Sequence, residues 1–93
     1  MAERLYRRAL ELDADEHHAM IGLARLLVDR HAPAEAVELA RGAVRRRPRR
    51  AAYQIVLGDA LRAAGNGGEA RAAYERALEL EPDNRQARQR LGQ

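Results

Sequence analysis

The sequence predicts an all-α fold of stacked antiparallel helix pairs, and three observations carry that expectation. Ala, Arg and Leu account for 49 of the 93 residues, and all three are strong helix formers. β-Branched residues are scarce, with four Val, two Ile and no Thr, which leaves little to build a sheet from. A pattern also recurs. Residues 70–84 read ARAAYERALELEPDN and residues 2–16 read AERLYRRALELDADE, 68 positions apart with eight of fifteen identical. Half that offset, 34, aligns Ala36, Ala43 and Pro48 with Ala70, Ala77 and Pro82, and Ile21, Leu23 and Leu27 with Ile55, Leu57 and Leu61. A fixed period of this length is the signature of a helical repeat array.

Six helices follow in order, over 2–12, 16–30, 33–46, 50–64, 68–80 and 84–92. The first presents Ala9, Leu10 and Leu12 as an apolar face, which Ala77, Leu78 and Leu80 repeat in the fifth. Asp15 is the expected N-cap of the second helix, whose Leu23 and Leu27 stand four apart on one stripe. Pro33 suits the first turn of the third helix. Pro48 ends it, because proline has no amide and disfavours helix in the residue before it. Leu57 and Leu61 form the stripe of the fourth helix. Gly65, Asn66, Gly67 and Gly68 make a tight turn with access to positive φ. Pro82 ends the fifth helix, and Asp83 is the expected N-cap of the sixth. Gly58 and Ala24 fall where paired helices cross, with Ala36, Ala43, Ala70 and Ala77 small on the opposing side. Tyr6 and Tyr74 hold equivalent places and are expected to pack. Tyr53 is less constrained and is expected to be partly exposed.

A 34-residue helix–turn–helix unit with this pattern resembles the tetratricopeptide repeat. Residues 51–84 match best: Leu57-Gly58 stands at the family's Leu-Gly pair, and Ala70, Tyr74, Ala77 and Pro82 fill its small, aromatic, small and proline places. Gln54 replaces the usual Trp, and Leu61 stands where Tyr is common. In residues 17–50, Met20 replaces Trp, Ala24 replaces Gly and Ala40 stands at the aromatic place. The resemblance implies a right-handed α–α superhelix in one domain over residues 1–93. Residues 1–16 would be the second half of a repeat, 17–50 and 51–84 complete repeats, and 85–93 a partial first helix or cap.

Composition excludes several chemistries. There is no Cys, Ser, Thr or Lys, which removes thiol and hydroxyl nucleophiles, Schiff-base lysines and a Gly-Lys-Ser/Thr phosphate loop. With no catalytic constellation in view, an enzyme is not expected, and no cofactor is implied. No apolar run approaches the roughly 20 residues of a membrane span, and the first residues are not a secretory signal. A cytoplasmic protein without membrane insertion is expected. Seventeen Arg with no Lys points to a GC-rich, bacterial coding sequence, which concerns codons and not function.

Two clusters invite a functional reading. Residues 13–18 read Asp-Ala-Asp-Glu-His-His. A metal site needs three or four convergent ligands, but His17 and His18 are adjacent and point about 100° apart on a helix. The cluster is therefore read as a cap and a solvated first turn, with no metal. Arg45, Arg46, Arg47, Arg49 and Arg50, with Arg41, put six guanidiniums within ten residues. This basic patch reads as a solvated turn or as an anion-binding surface. Nucleic acid is not the expected partner, because the run carries no aromatic for base stacking.

The resemblance further implies a protein or peptide partner held in a concave groove lined by the first helix of each repeat. The corresponding positions are His18, Ile21, Gly22, Arg25, Val28 and Asp29, then Ala52, Ile55, Val56, Asp59, Arg62 and Ala63, then Gln86 and Gln89. The carboxylate clamp of the chaperone-binding subset maps to Ile21, Arg25, Val56, Gln86 and Arg90. Only the last keeps its residue type, so no such clamp is expected. The leading expectation is a protein-interaction module. The alternatives are a self-associating unit that completes its half repeats between copies, and a polyanion or nucleic-acid binder acting through residues 45–50.

Overall fold

The computed structural model describes residues 2–92; Met1 and Gln93, the ends of the expected domain, lie outside the described residues. Six helices run α1 (Ala2–Leu12), α2 (His17–Asp29), α3 (Pro33–Arg46), α4 (Ala51–Ala63), α5 (Gly67–Leu80) and α6 (Arg85–Leu91), with no strand among the described residues. Every helix end falls within one residue of its expected place. The connections alternate between four and three residues, too short for anything but antiparallel neighbours. Each helix packs on the next in the chain, and α2 also touches α4. The result is a helical-repeat superhelix, an elongated body of 39 × 25 × 19 Å.

Local chemistry sets the boundaries. Pro33 opens α3 at its first position. The helices α2 and α4 end in the same device. Ala32 N–H donates to Leu27 O and His31 N–H to Val28 O, and one repeat later Asn66 donates to Leu61 O and Gly65 to Arg62 O. This Schellman motif needs a left-handed residue at the turn. Gly65 supplies it at φ 87°, and His31, 34 residues earlier, adopts φ 59° without being glycine. Gly67 and Gly68 belong to α5 instead of the turn. The expected caps shift by one residue. Glu16, not Asp15, accepts from His18 N–H, and Asn84, not Asp83, accepts from Ala87 N–H. The longer Glu16 and the amide of Asn84 sit at the residue whose extended backbone starts the helix.

The core runs through α2 to α5. Ala24, Ala36, Ala40, Ala43, Ala60 and Ala77 are fully buried where helices cross, and Leu23, Leu27, Ile55, Leu61 and Tyr74 fill the space between. Gly58 lies under Tyr74: a Cβ there would sit 2.5 Å from the ring. Tyr6 lies in the same way over Gly22, and Met20 reaches Gly42, with Sδ 3.2 Å from where a Cβ would be. Tyr53 is 5% exposed, so the expectation of partial exposure is wrong; its place in the core is taken at the α2–α4 seam. At the N-terminal end the expected apolar face is only partly covered. Leu12 is 78% exposed and Leu5 70%, and α1 has no fully buried residue. Among the described residues α1 packs on one first helix, α2, which leaves its outer side open.

Substituting Gly58→Ala is expected to force the Tyr74 ring aside and destabilise the fold by about 1–3 kcal/mol. Urea unfolding measures it. An unchanged midpoint would show that the contact is soft.

Candidate functional site

Helices α2, α4 and α6 are the first helices of successive repeats, and their inner sides share one cavity of about 310 Å³. It is lined by Arg25, Val28 and Asp29 from α2, Ile55, Val56 and Asp59 from α4, and Gln86 and Arg90 from α6. Seven of these eight are expected groove residues. The chemistry is mixed: an aliphatic floor of Val28, Ile55 and Val56, with charged and amide groups around it.

Not every expected groove residue is available. Ile21 is 7% exposed and belongs to the core, and Ile55 and Val56 show the cavity only their edges. Gly22 lies against the Tyr6 ring from α1 and not in the open. His18, Arg62 and Gln89 are exposed but do not line this cavity. Arg25 and Asp29 are exposed, and neither has an ion-pair partner among the described residues.

Asp59 is committed to the fold. Its carboxylate accepts from Arg90 Nε at 2.9 Å and Nη2 at 3.1 Å, a two-pronged pair, and from the Tyr74 hydroxyl at 2.5 Å. Arg62 stands 3.8 Å away. One carboxylate thus ties α4 to α5 and to α6. Burial and the hydrogen bond to Asp59 push the Tyr74 hydroxyl well above the ordinary tyrosine range, so it stays protonated and donating. The same carboxylate raises the Arg90 guanidinium. Arg90 was not among the expected groove positions, yet the spacing carried a signal. It lies 31 residues beyond Asp59, one repeat less three, which puts it one turn away on the next first helix.

The basic patch divides. Arg41 pairs with Glu69 at 3.0 Å, and Arg7 pairs with Glu35 at 3.0 Å. These are the same pair one repeat apart, and they clip successive second helices together. Arg46 bonds Asp15 and the Gly42 carbonyl. Arg41 and Arg46 thus each have an acidic partner within the fold. Arg45, Arg47, Arg49 and Arg50 have no carboxylate partner among the described residues.

Beside them lies a histidine pair. His17 is buried, and its Nδ1 lies 2.7 Å from the Tyr53 hydroxyl, across the seam between α2 and α4. His17 alone departs from the reading of residues 13–18 as a cap and a solvated turn: Asp13, Ala14, Asp15 and His18 are exposed, and Glu16 caps α2. The His18 ring lies 4.1 Å from that of His17. Its Nδ1 is 3.3 Å from Glu16 Oε1, and its Nε2 is 3.4 Å from Arg50 Nη1. Burial first, and then the charges of Arg47, His18 and Arg50, hold His17 below the usual histidine value. Ligand-type atoms of Glu16, His17 and His18 lie within 4.8 Å of one another, closer than adjacency on a helix implied. Glu16 already caps α2 and His17 Nδ1 already meets Tyr53.

A family model for the tetratricopeptide repeat matches residues 2–51, 21–85 and 55–93. The chain belongs to the tetratricopeptide repeat family. It is 34% identical over 86 residues to the protein O-mannosyl-transferase Tmtc3 of Drosophila melanogaster, a match that covers 91% of this chain and 9% of that protein. Among solved structures it is similar to a mutant of Thermobaculum terrenum O-GlcNAc transferase, with a TM-score of 0.92 and 32% identity over 96% of this chain and 17% of that one. It also shares its fold with YrrB, with a TM-score of 0.87 and 19% identity over 95% of this chain and 45% of that one. The chain therefore spans a small fraction of both transferases, and the likeness lies in the repeat region. Tetratricopeptide repeats are in general non-catalytic scaffolds for protein–protein interaction. No described helix is long and apolar enough to cross a membrane.

Replacing Asp59 by Ala strands Arg90 and the Tyr74 hydroxyl together. The expected loss is about 1–3 kcal/mol, read by calorimetry as a melting point lowered by about 5–15 °C. Asp29→Ala, one turn beyond Arg25 and without a partner, is expected to leave the melting point unchanged.

Proposed function

We propose that this chain is a non-catalytic interaction module that holds an extended segment of a partner protein in the groove formed by α2, α4 and α6. The observation that carries the reading is the cavity at the meeting of three first helices, where an aliphatic floor lies beside an unpaired guanidinium. A groove of this composition suits a peptide: apolar side chains bury against Val28, Ile55 and Val56, and polar groups at the rim fix the register. Arg25 is the residue expected to contribute most to selectivity, because Asp59 and Arg90 already satisfy one another. YrrB is described as a tetratricopeptide repeat protein with an unusual peptide-binding site, which is consistent with this use of the fold.

A second reading is self-association. It is favoured by Leu5 and Leu12, which leave an apolar face of α1 open to a first helix from another copy. In an array longer than this chain, the preceding helix takes that place. The groove reading needs no second copy and stands ahead of it.

Peptides selected against the protein from a random display library test the groove. Arg25→Glu is expected to weaken the selected peptides at least tenfold, while Leu5→Gln leaves them within twofold. The groove assignment fails if Leu5→Gln weakens binding and Arg25→Glu does not.

A further inference from the structure

Four of the arginines between residues 45 and 50 remain without an acidic partner among the described residues, and one of them, Arg50, stands beside the histidine pair. Arg50 Nη1 lies 3.4 Å from His18 Nε2 and 3.2 Å from the Tyr53 hydroxyl, and its guanidinium sits 5.4 Å from the centre of the Tyr53 ring. Arg47 turns back to donate to the Arg46 carbonyl at 2.8 Å, which leaves most of its guanidinium donors free. Arg47 and Arg50 bracket a single turn, closed by the Arg50 amide donating to the Arg47 carbonyl at 3.3 Å. Glu16 is the carboxylate at this place, and His18 N–H already binds it as the cap of α2. Asp15 is held by Arg46.

We propose that Arg47, Arg50 and His18 form a binding subsite for a compact oxyanion, a phosphoryl or carboxylate group, carried on a partner protein. Two arguments choose an anion over a cation. Glu16, His17 and His18 offer ligand-type atoms close together, but a metal ion there would face the Arg50 guanidinium beside His18 Nε2, where like charges repel. It would also take Glu16 from its capping bond. An oxyanion meets no such conflict, because guanidinium nitrogens present donors in the planar fork that carboxylate and phosphate accept.

Size and surroundings argue against nucleic acid as the occupant. Arg41 and Arg46 are tied to carboxylates, which breaks the run into a local cluster. Tyr53, the aromatic of the site, is buried and covered by Arg50, so no ring is free to stack on a base. The subsite lies outside the cavity between α2, α4 and α6, and its test does not depend on that cavity.

Inorganic phosphate is the probe, titrated into the folded chain at low salt and followed by the His18 ring protons and the arginine Nε resonances. Saturable binding with a dissociation constant of a few millimolar is expected. Arg47→Gln, at an exposed residue whose side-chain hydrogen bond goes to the adjacent Arg46 carbonyl, is expected to weaken it at least fivefold, and Arg50→Gln by as much. Arg45→Gln with Arg49→Gln is expected to change it less than twofold. Acetate in place of phosphate separates the two sources: weaker but saturable shifts at the same residues are expected. The proposal is overturned if phosphate does not saturate, or if the Arg45 and Arg49 pair matters as much as Arg47. It is overturned in favour of a cation site if micromolar zinc shifts both histidine rings. A single-stranded oligonucleotide that binds with a salt slope requiring all four free arginines overturns it in favour of an extended polyanion face.

Discussion

Close approach of helices over bare backbone is the constraint on which the rest of the structure depends. Three helix pairs, α1/α2, α2/α3 and α4/α5, use it: Tyr6 against Gly22, Met20 against Gly42, and Tyr74 against Gly58. In the two tyrosine pairs the ring leaves no room for a neighbour's Cβ, and at Gly42 the Met20 sulfur stands 3.2 Å from where one would be. Between these contacts the facing positions are Ala24, Ala36, Ala40, Ala43, Ala60 and Ala77, all without exposed surface. A core this rich in alanine gains little from any one side chain and much from the number of close contacts, since dispersion falls off steeply with small gaps. Bringing the helices together also brings the polar groups at their edges into range. The Tyr74 ring that covers Gly58 carries the hydroxyl that binds Asp59, so one residue serves packing and the polar tie to α4 together.

Charge is arranged in two ways around that core. Where a pair recurs with the repeat, as Arg7–Glu35 and Arg41–Glu69 do, it holds neighbouring second helices in register. Exposed pairs of this kind add little stability each, but their periodicity shows that they belong to the scaffold. Where no partner recurs, charge is left over. Arg25 in the groove, and Arg47 and Arg50 at the turn between α3 and α4, are guanidiniums without an acidic partner among the described residues. That distinction, between cations with and without an internal acid, separates structural arginines from those available to a partner in a chain with 17 of them.

Much of this was legible in the residues. The 34-residue period placed all six helices, because the prolines, the Schellman turns and the small residues recur with it, and local stop signals and packing positions agree. Register alone also pointed to seven of the eight residues that line the cavity between α2, α4 and α6, but not to the burial of Ile21 or the cover that Tyr6 gives Gly22. Three further things were not legible. Burial of Tyr53 and His17 depends on their meeting across the α2–α4 seam, a contact that no periodicity within one helix encodes. The commitment of Asp59 needed Arg90, which has a counterpart in neither earlier repeat: the equivalent positions hold Gly22 and Val56. The caps moved by a single residue because Asp15-Glu16 and Asp83-Asn84 each offer two adjacent acceptors, and backbone conformation decides between them. In the basic run, Arg41 could have been set aside from the sequence, because Arg7 and Glu35 repeat as Arg41 and Glu69.

The central claim is a solenoid whose stability comes from neighbour-on-neighbour packing, strongest in the middle and weakest at α1. Amide hydrogen exchange followed residue by residue tests it most directly, because it reads local stability along the chain. The account predicts slowest exchange in α4 and α5, intermediate rates in α2 and α3, and fastest exchange in α1, whose leucines at positions 5 and 12 lie open. Uniform protection along the chain, or an α1 as protected as α4, would contradict it.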